Sequence, residues 1–195
     1  MTAAVILAGG NSRRMGRDKL SLAVSGSTLL ESAIDRFKEK FELVCLSVSD
    51  LSKYPEVSIP KIADIIPSAG PLSGLHAALS SLTTEGVFLI AADLPFADAD
   101  AALKIIELAA GKDSCVIKLP NGNMEPLFGY YGKSLLPRCE ELLSSGDFRM
   151  TSLFSKSGTR FVSPDELGSV WNESIIMNIN YPEDYDALMH RMPSN

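Results

Sequence analysis

The chain has 195 residues, enough for one substantial core, and its 46% apolar and 22% charged residues exclude a disordered protein. A net charge of −6 argues against nonspecific nucleic-acid binding, which needs a basic face. The longest strongly apolar run, 87–92, is too short for a bilayer and no cationic lead-in precedes the first apolar stretch, so a cytoplasmic protein with no membrane and no nucleic-acid partner is expected.

In chain order, Ala3 to Leu7 reads as a short buried strand, and Leu29, Leu30, Ala33, Ile34 and Phe37 share one face of a helix. Leu43 to Val48 is the next strand, with a weaker one near Val57 to Ile62. Leu72, Leu75, Leu79 and Leu82 recur at helical spacing, with Pro71 suited to the first helical position. A strand at Val87–Ala91, a helix over Asp98–Ala110 and strands at Ser114–Lys118 and Pro126–Tyr131 follow. Leu135, Leu136, Cys139, Leu142 and Leu143 form a helical face. Gly158 to Glu173 is least regular and reads as a connection or a small edge element. A strand at Ile175–Ile179 and a helix from Pro182 to His190 close the pattern. The alternation predicts an α/β fold with a mostly parallel sheet covered on both faces, as one domain over 1–195.

Cys45, Cys115 and Cys139 lie in separate apolar stretches and read as buried free thiols; with no CxxC and only His76 and His190, a zinc site is excluded. Four of the 18 Lys and Arg residues, Arg13, Arg14, Arg17 and Lys19, fall in seven positions after the first strand. Beside Gly9, Gly10 and Gly16 they make the loop Leu7–Lys19 a candidate phosphate cradle: glycines let N–H groups approach and the cations wrap the anion. The loop is neither GxxxxGK[ST] nor GxGxxG.

Asp93, at the end of an apolar strand, needs a cation or donors; Mg²⁺ is the natural partner beside phosphates, and capping of the following helix is the alternative. Asp64 with Gly70-Pro71-Leu72-Ser73-Gly74 offers a helix start able to receive an anion or a base edge, or is an ordinary turn. Asn178 and Asn180, at alternate strand positions, face one way to hold a polar substrate, to finish a metal shell, or toward water. Arg149 in Gly146–Arg149 reads equally as a substrate ligand or a loop residue. The basic loop, Asp64 and Asp93 all follow strands, and open parallel sheets bind ligands at that edge.

LAGGNSRRMGRDK at 7–19 resembles the LAGGxSxRMGxDK signature of the molybdenum cofactor guanylyltransferases, the MobA family. The resemblance extends through GPLSG at 70–74, ADLPF at 92–96, EPLFGYY at 125–131 and NINYPED at 178–184. It implies a three-layer α/β/α fold with a Rossmann-like nucleotidyltransferase sheet, and transfer of GMP from GTP to the terminal phosphate of molybdopterin, with or without molybdenum. Implied nucleotide ligands are Leu7, Ala8, Gly9, Gly10, Lys19, Asp64, Gly70 and Asp93. Lys19, Arg14 and Asp93 are the implied catalytic set, Asp93 the Mg²⁺ ligand, and Asn178 and Asn180 the substrate-side amides. Cofactor-synthesis or acceptor molybdoenzyme proteins are the implied protein partners.

Tyr181 departs from the family's NxNTP pattern, and Ser47 and Ser49 stand where a nucleotide-contacting asparagine is often found, so neither serine is assigned. Two other readings stay open. A cytidylyltransferase acting on the same pterin generally carries LAAG, whereas Gly9 here leaves room for a purine. A noncatalytic nucleotide-binding module would bind GTP without releasing pyrophosphate.

Overall fold

The computed structural model describes residues 1–9, 19–24, 26–179 and 184–185. Its main sheet orders β5 (Lys61–Ala63), β4 (Val44–Val48), β1 (Thr2–Leu7), β6 (Gly86–Ala91), β8 (Met124–Gly132), β7 (Ser114–Lys118) and β9 (Thr159–Val162). β2 (Ala23–Val24) and β3 (Ser27–Thr28) form a small separate ribbon. β1 is central because both of its faces are apolar: Ala4 and Ile6 enter one core cluster and Val5 the other.

α1 (Leu29–Lys38), α3 (Ala99–Leu108) and α5 (Pro164–Leu167) cover the first face, and α2 (Pro71–Ser81) and α4 (Leu136–Ser145) the second. This is the expected three-layer α/β/α arrangement. Thr28 and Glu31 form a capping box that starts α1, and Asp98 caps α3 by accepting from the Ala101 N–H. Asp98 therefore takes the capping role that was the alternative for Asp93.

In the main sheet every strand but β8 runs the same way. β8 is antiparallel because only five residues join it to β7, too few for a crossover. That turn closes with Leu119 N–H to Asn123 O at 2.8 Å and Gly122 at φ +88°. From β1 the chain moves outward to β4 and β5, then returns through α2 to pair β6 with the other side of β1. The strand order thus reverses at β1 and β6, where a crevice opens at the carboxyl ends of open α/β sheets.

Two expectations shift, and a third is met. The weak strand near Val57–Ile62 is realised only at Lys61–Ala63, while Val57 packs against the core from a turn in which its N–H bonds Tyr54 O. The irregular stretch from Gly158 does supply a small edge element, β9, parallel to β7. Ile175–Ile179 is not a strand: Asn172 accepts from the Ser174 N–H and hydroxyl, nucleating a 3-10 turn over Glu173–Ile176. The helix expected over 182–190 lies outside the described residues except at 184–185, which are helical.

Candidate active site

Leu7 ends β1 between Ser47 of β4 and Ala91 of β6. Past the strand, the Ala8 N–H donates to Ser47 O at 2.8 Å and the Ala92 N–H to Leu7 O at 3.1 Å. Backbone hydrogen bonds on both sides therefore fix where the chain leaves the sheet. Ala8 is buried beneath this point and Gly9 is exposed. Among the described residues, a β-carbon on Gly9 would meet only the Ser49 nitrogen, at an ordinary 3.8 Å. Packing against the described residues does not demand glycine there.

A cleft of about 490 Å³ opens beside Gly9, lined by Leu7, Gly9, Ser49, Asp64, Ser68, Gly70 and Pro71. Four of the expected nucleotide ligands, Leu7, Gly9, Asp64 and Gly70, thus share one cavity. Ser49, left unassigned from sequence, is on its wall; its place just after β4 matches that of Asp64 just after β5. Ser68 was also missed, whereas Pro71 belongs to the helix start read beside Asp64. Gly70 has φ +62° and ψ −150°, a conformation open essentially to glycine alone, and Ser68 sits at φ +65°. Together they bend the chain from Asp64 round to the start of α2.

α2 lies close to the sheet because Gly74 has no side chain. A β-carbon there would be 2.6 Å from Ser47 Oγ and 2.7 Å from Leu7 Cδ2. The second glycine of GPLSG therefore serves packing, and only the first belongs to the cleft.

Asp64 is half-buried, its N–H bonded to Val48 O at 3.0 Å. Burial raises its carboxyl above the usual range and Lys53 opposes that rise. Among the described residues the carboxylate has no hydrogen-bond donor and no ion-pair partner. It is a desolvated acceptor facing a cavity.

Asp93 stands two residues past β6, half-buried, and its carbonyl accepts the Ile179 N–H at 3.1 Å. This bond draws Ile179 to the end of β6, and Asn178 before it is exposed. Asn178 is therefore brought near Asp93 through a backbone bond of its neighbour and not by a strand ladder. Gly10, Arg14 and Asn180 lie outside the described residues. Lys19 opens a 3-10 turn, Lys19–Ser21, and its side chain also lies outside them.

A second carboxylate belongs to this edge. β6 and β8 pair as far as Ile90 opposite Phe128, and Glu125, farther along β8, lies near enough to Asp93 to feel its charge. Burial raises the Glu125 carboxyl, its bond from the Leu127 N–H at 3.1 Å lowers it, and the charge of Asp93 raises it further. Nothing in the strand-like EPLFGYY pattern shows this proximity, since it arises from pairing with a strand 32 positions away.

Among the described residues no three His, Cys, Asp or Glu groups converge. The donor set nevertheless fits Mg²⁺, which takes hard oxygens and typically uses one or two carboxylates together with substrate phosphates. Arg149 is held on the surface by Asp147 at 2.8 Å, beyond the left-handed Gly146 that ends α4, which accounts for it as a loop residue. No helix among the described residues is long and apolar enough to cross a membrane.

A family model for MobA-like NTP transferase domains matches residues 4–160. A Methanosarcina mazei protein named "Probable molybdenum cofactor guanylyltransferase" is 30% identical over 95% of this chain and 89% of its own length. A molybdenum cofactor guanylyltransferase of Campylobacter jejuni is 27% identical over 96% of this chain and 95% of its own. Molybdopterin-guanine dinucleotide biosynthesis protein A of Archaeoglobus fulgidus, a crystal structure, shares the fold with a TM-score of 0.85 at 22% identity, over 97% of each chain.

Proposed function

This chain belongs to the MobA-like NTP transferase family, and from that premise we propose that it transfers GMP from GTP to the terminal phosphate of molybdopterin, with or without molybdenum. The observation that carries the reading is the cleft past the ends of β1, β4 and β5, with Asp93 following the next strand, β6, at the switch point. From β5 to β6 is three strand spacings, roughly 15 Å at about 4.8 Å each. An extended nucleotide bridges such a span from base edge to α-phosphate.

The base enters beside Leu7, Ala8 and Gly9, with the Asp64 carboxylate accepting from guanine N1–H and its 2-amino group. Cytosine has no such adjacent pair of donors. Gly70 and the start of α2 border the sugar and base, and Gly10, Arg14 and Lys19 receive the phosphates. Asp93 holds Mg²⁺, which when bound neutralises charge on the phosphates. A phosphate oxygen of the acceptor attacks the α-phosphorus, the bond from that phosphorus to the bridging oxygen breaks, and pyrophosphate leaves with the electron pair. The acceptor's phosphate dianion is already nucleophilic near neutral pH, so no general base is required. Arg14 and Lys19 stabilise the charge that builds on the α-phosphate and the leaving group. Asn178 and Asn180 contact the acceptor.

The reaction is assigned to the cytoplasm, to a single domain over residues 1–195, with cofactor-synthesis or acceptor molybdoenzyme proteins as partners. The test is pyrophosphate release from GTP or CTP with molybdopterin and Mg²⁺. GTP turnover should dominate, and Asp93→Ala and Lys19→Ala should each lose most of it with unchanged circular dichroism. Dominant CTP turnover, or near-normal release by either variant, would overturn the assignment.

A further inference from the structure

We propose that Glu125 is the acceptor-side recognition residue, placing its carboxylate against N–H donors of the pterin ring. The proposal rests on the guanylyltransferase reading above. Its first support is order along the sheet edge. The nucleotide cleft occupies β5, β4 and β1, Asp93 follows β6, and Glu125 lies on β8, on the other side of Asp93 from the cleft. In a displacement at the α-phosphate the attacking group enters opposite the departing pyrophosphate. An acceptor reaching the phosphorus from beyond Asp93 must pass β8.

The second support is the local backbone. Val116 pairs with Gly129 while the next residue, Ile117, pairs with Glu125, so Pro126, Leu127 and Phe128 have no partners on β7. Such bulges re-aim side chains beside functional sites. Two bonds hold this one: the Leu127 N–H donates to Glu125 Oε1 at 3.1 Å, and the buried Tyr131 hydroxyl donates to Pro126 O at 2.7 Å. EPLFGYY thus encodes both a bulge and its lock. The lock uses one carboxylate oxygen, and Oε2 has no hydrogen-bond partner among the described residues. A half-buried carboxylate held in place with one oxygen open is suited to receive donors. Pterins carry them on the ring nitrogens and the 2-amino group.

The experiment compares the wild-type chain with Glu125→Ala and Glu125→Gln, measuring KM for molybdopterin, kcat, GTP affinity by calorimetry and the Mg²⁺ dependence of turnover. Loss of a charged hydrogen bond predicts a KM for molybdopterin higher by roughly ten- to a hundredfold in Glu125→Ala, with a smaller rise in Glu125→Gln. The kcat, GTP affinity and Mg²⁺ dependence should stay near wild type. Two results overturn the assignment to Glu125 alone: an unchanged KM beside normal wild-type turnover, or a shifted Mg²⁺ dependence, which would make Glu125 a metal residue. A wild-type chain that releases no pyrophosphate with the acceptor present would remove the functional reading, and this inference with it.

Discussion

Replacing Asp64 by alanine isolates base recognition from every other part of the reaction. Its carboxylate is half-buried in the cleft and has no described protein donor, so a bound base would supply the donors it lacks. A hydrogen bond to a charged group contributes about 1.5–3 kcal/mol, which is roughly ten- to a hundredfold in affinity. Inosine triphosphate lacks the 2-amino group and forfeits one of the two bonds, so the wild-type chain should bind GTP at least about tenfold tighter than ITP. In Asp64→Ala both nucleotides should weaken and their ratio should fall to near one. Calorimetry with Mg²⁺ measures this without any pterin. A GTP-to-ITP ratio unchanged by the substitution would refute the role given to Asp64.

The same residue makes a linked stability prediction. Burial raises the carboxyl's folded pKa, so the folded state is penalised while the group is ionised. Asp64→Asn should therefore raise Tm at pH 8. That gain should shrink as pH falls through the raised folded value toward the ordinary carboxylate range. A gain that grows on acidification would contradict the sign.

Gly74→Ala should cost about 1–3 kcal/mol through overpacking, because the new β-carbon meets Ser47 Oγ at 2.6 Å and Leu7 Cδ2 at 2.7 Å. Among the described residues Gly9→Ala meets protein only at 3.8 Å, so it should leave Tm unchanged while weakening GTP binding; equal melting losses in the two variants would break this contrast. The three cysteines are buried, and burial pushes the Cys115 and Cys139 thiols up to about 12. Iodoacetamide at pH 8 should leave them unmodified by mass spectrometry until guanidinium unfolds the chain, and prompt labelling of the native protein would disprove their burial.

The parts of the site legible in sequence are those whose signal is local. Asp64 follows β5, Asp93 follows β6, Gly9 follows β1 and Gly70 stands at the turn into α2, so strand ends and glycines sufficed. Ser49 obeys the same rule just after β4 and could have been found by it. Ser68 could not, since its place on the cleft wall depends on a positive φ that serine does not advertise. Glu125 was hidden for another reason: its nearness to Asp93 comes from the pairing of β8 with β6, and its setting from a bulge against β7. The strand expected at Ile175–Ile179 failed because one amide, that of Asn172, competes locally for backbone donors and starts a turn.

Charge decides how these pieces must work together. Asp64, Asp93 and Glu125 are acidic side chains spread along one sheet edge, and the whole chain carries a net charge of −6. A nucleoside triphosphate and a phosphorylated acceptor bring further negative charge to that edge. Left uncompensated, these carboxylates would repel both substrates. The compensation is unevenly distributed along the sequence, because Arg13, Arg14, Arg17 and Lys19 all follow β1 directly. In the proposed reaction the phosphates would meet these cations and Mg²⁺, while the base and the pterin, both uncharged at their hydrogen-bonding edges, would meet carboxylates that read N–H donors. Raising the ionic strength should accordingly weaken binding of GTP far more than binding of guanosine, since only the phosphate end depends on long-range attraction. Equal salt dependence for nucleotide and nucleoside would show that this division of the edge is wrong.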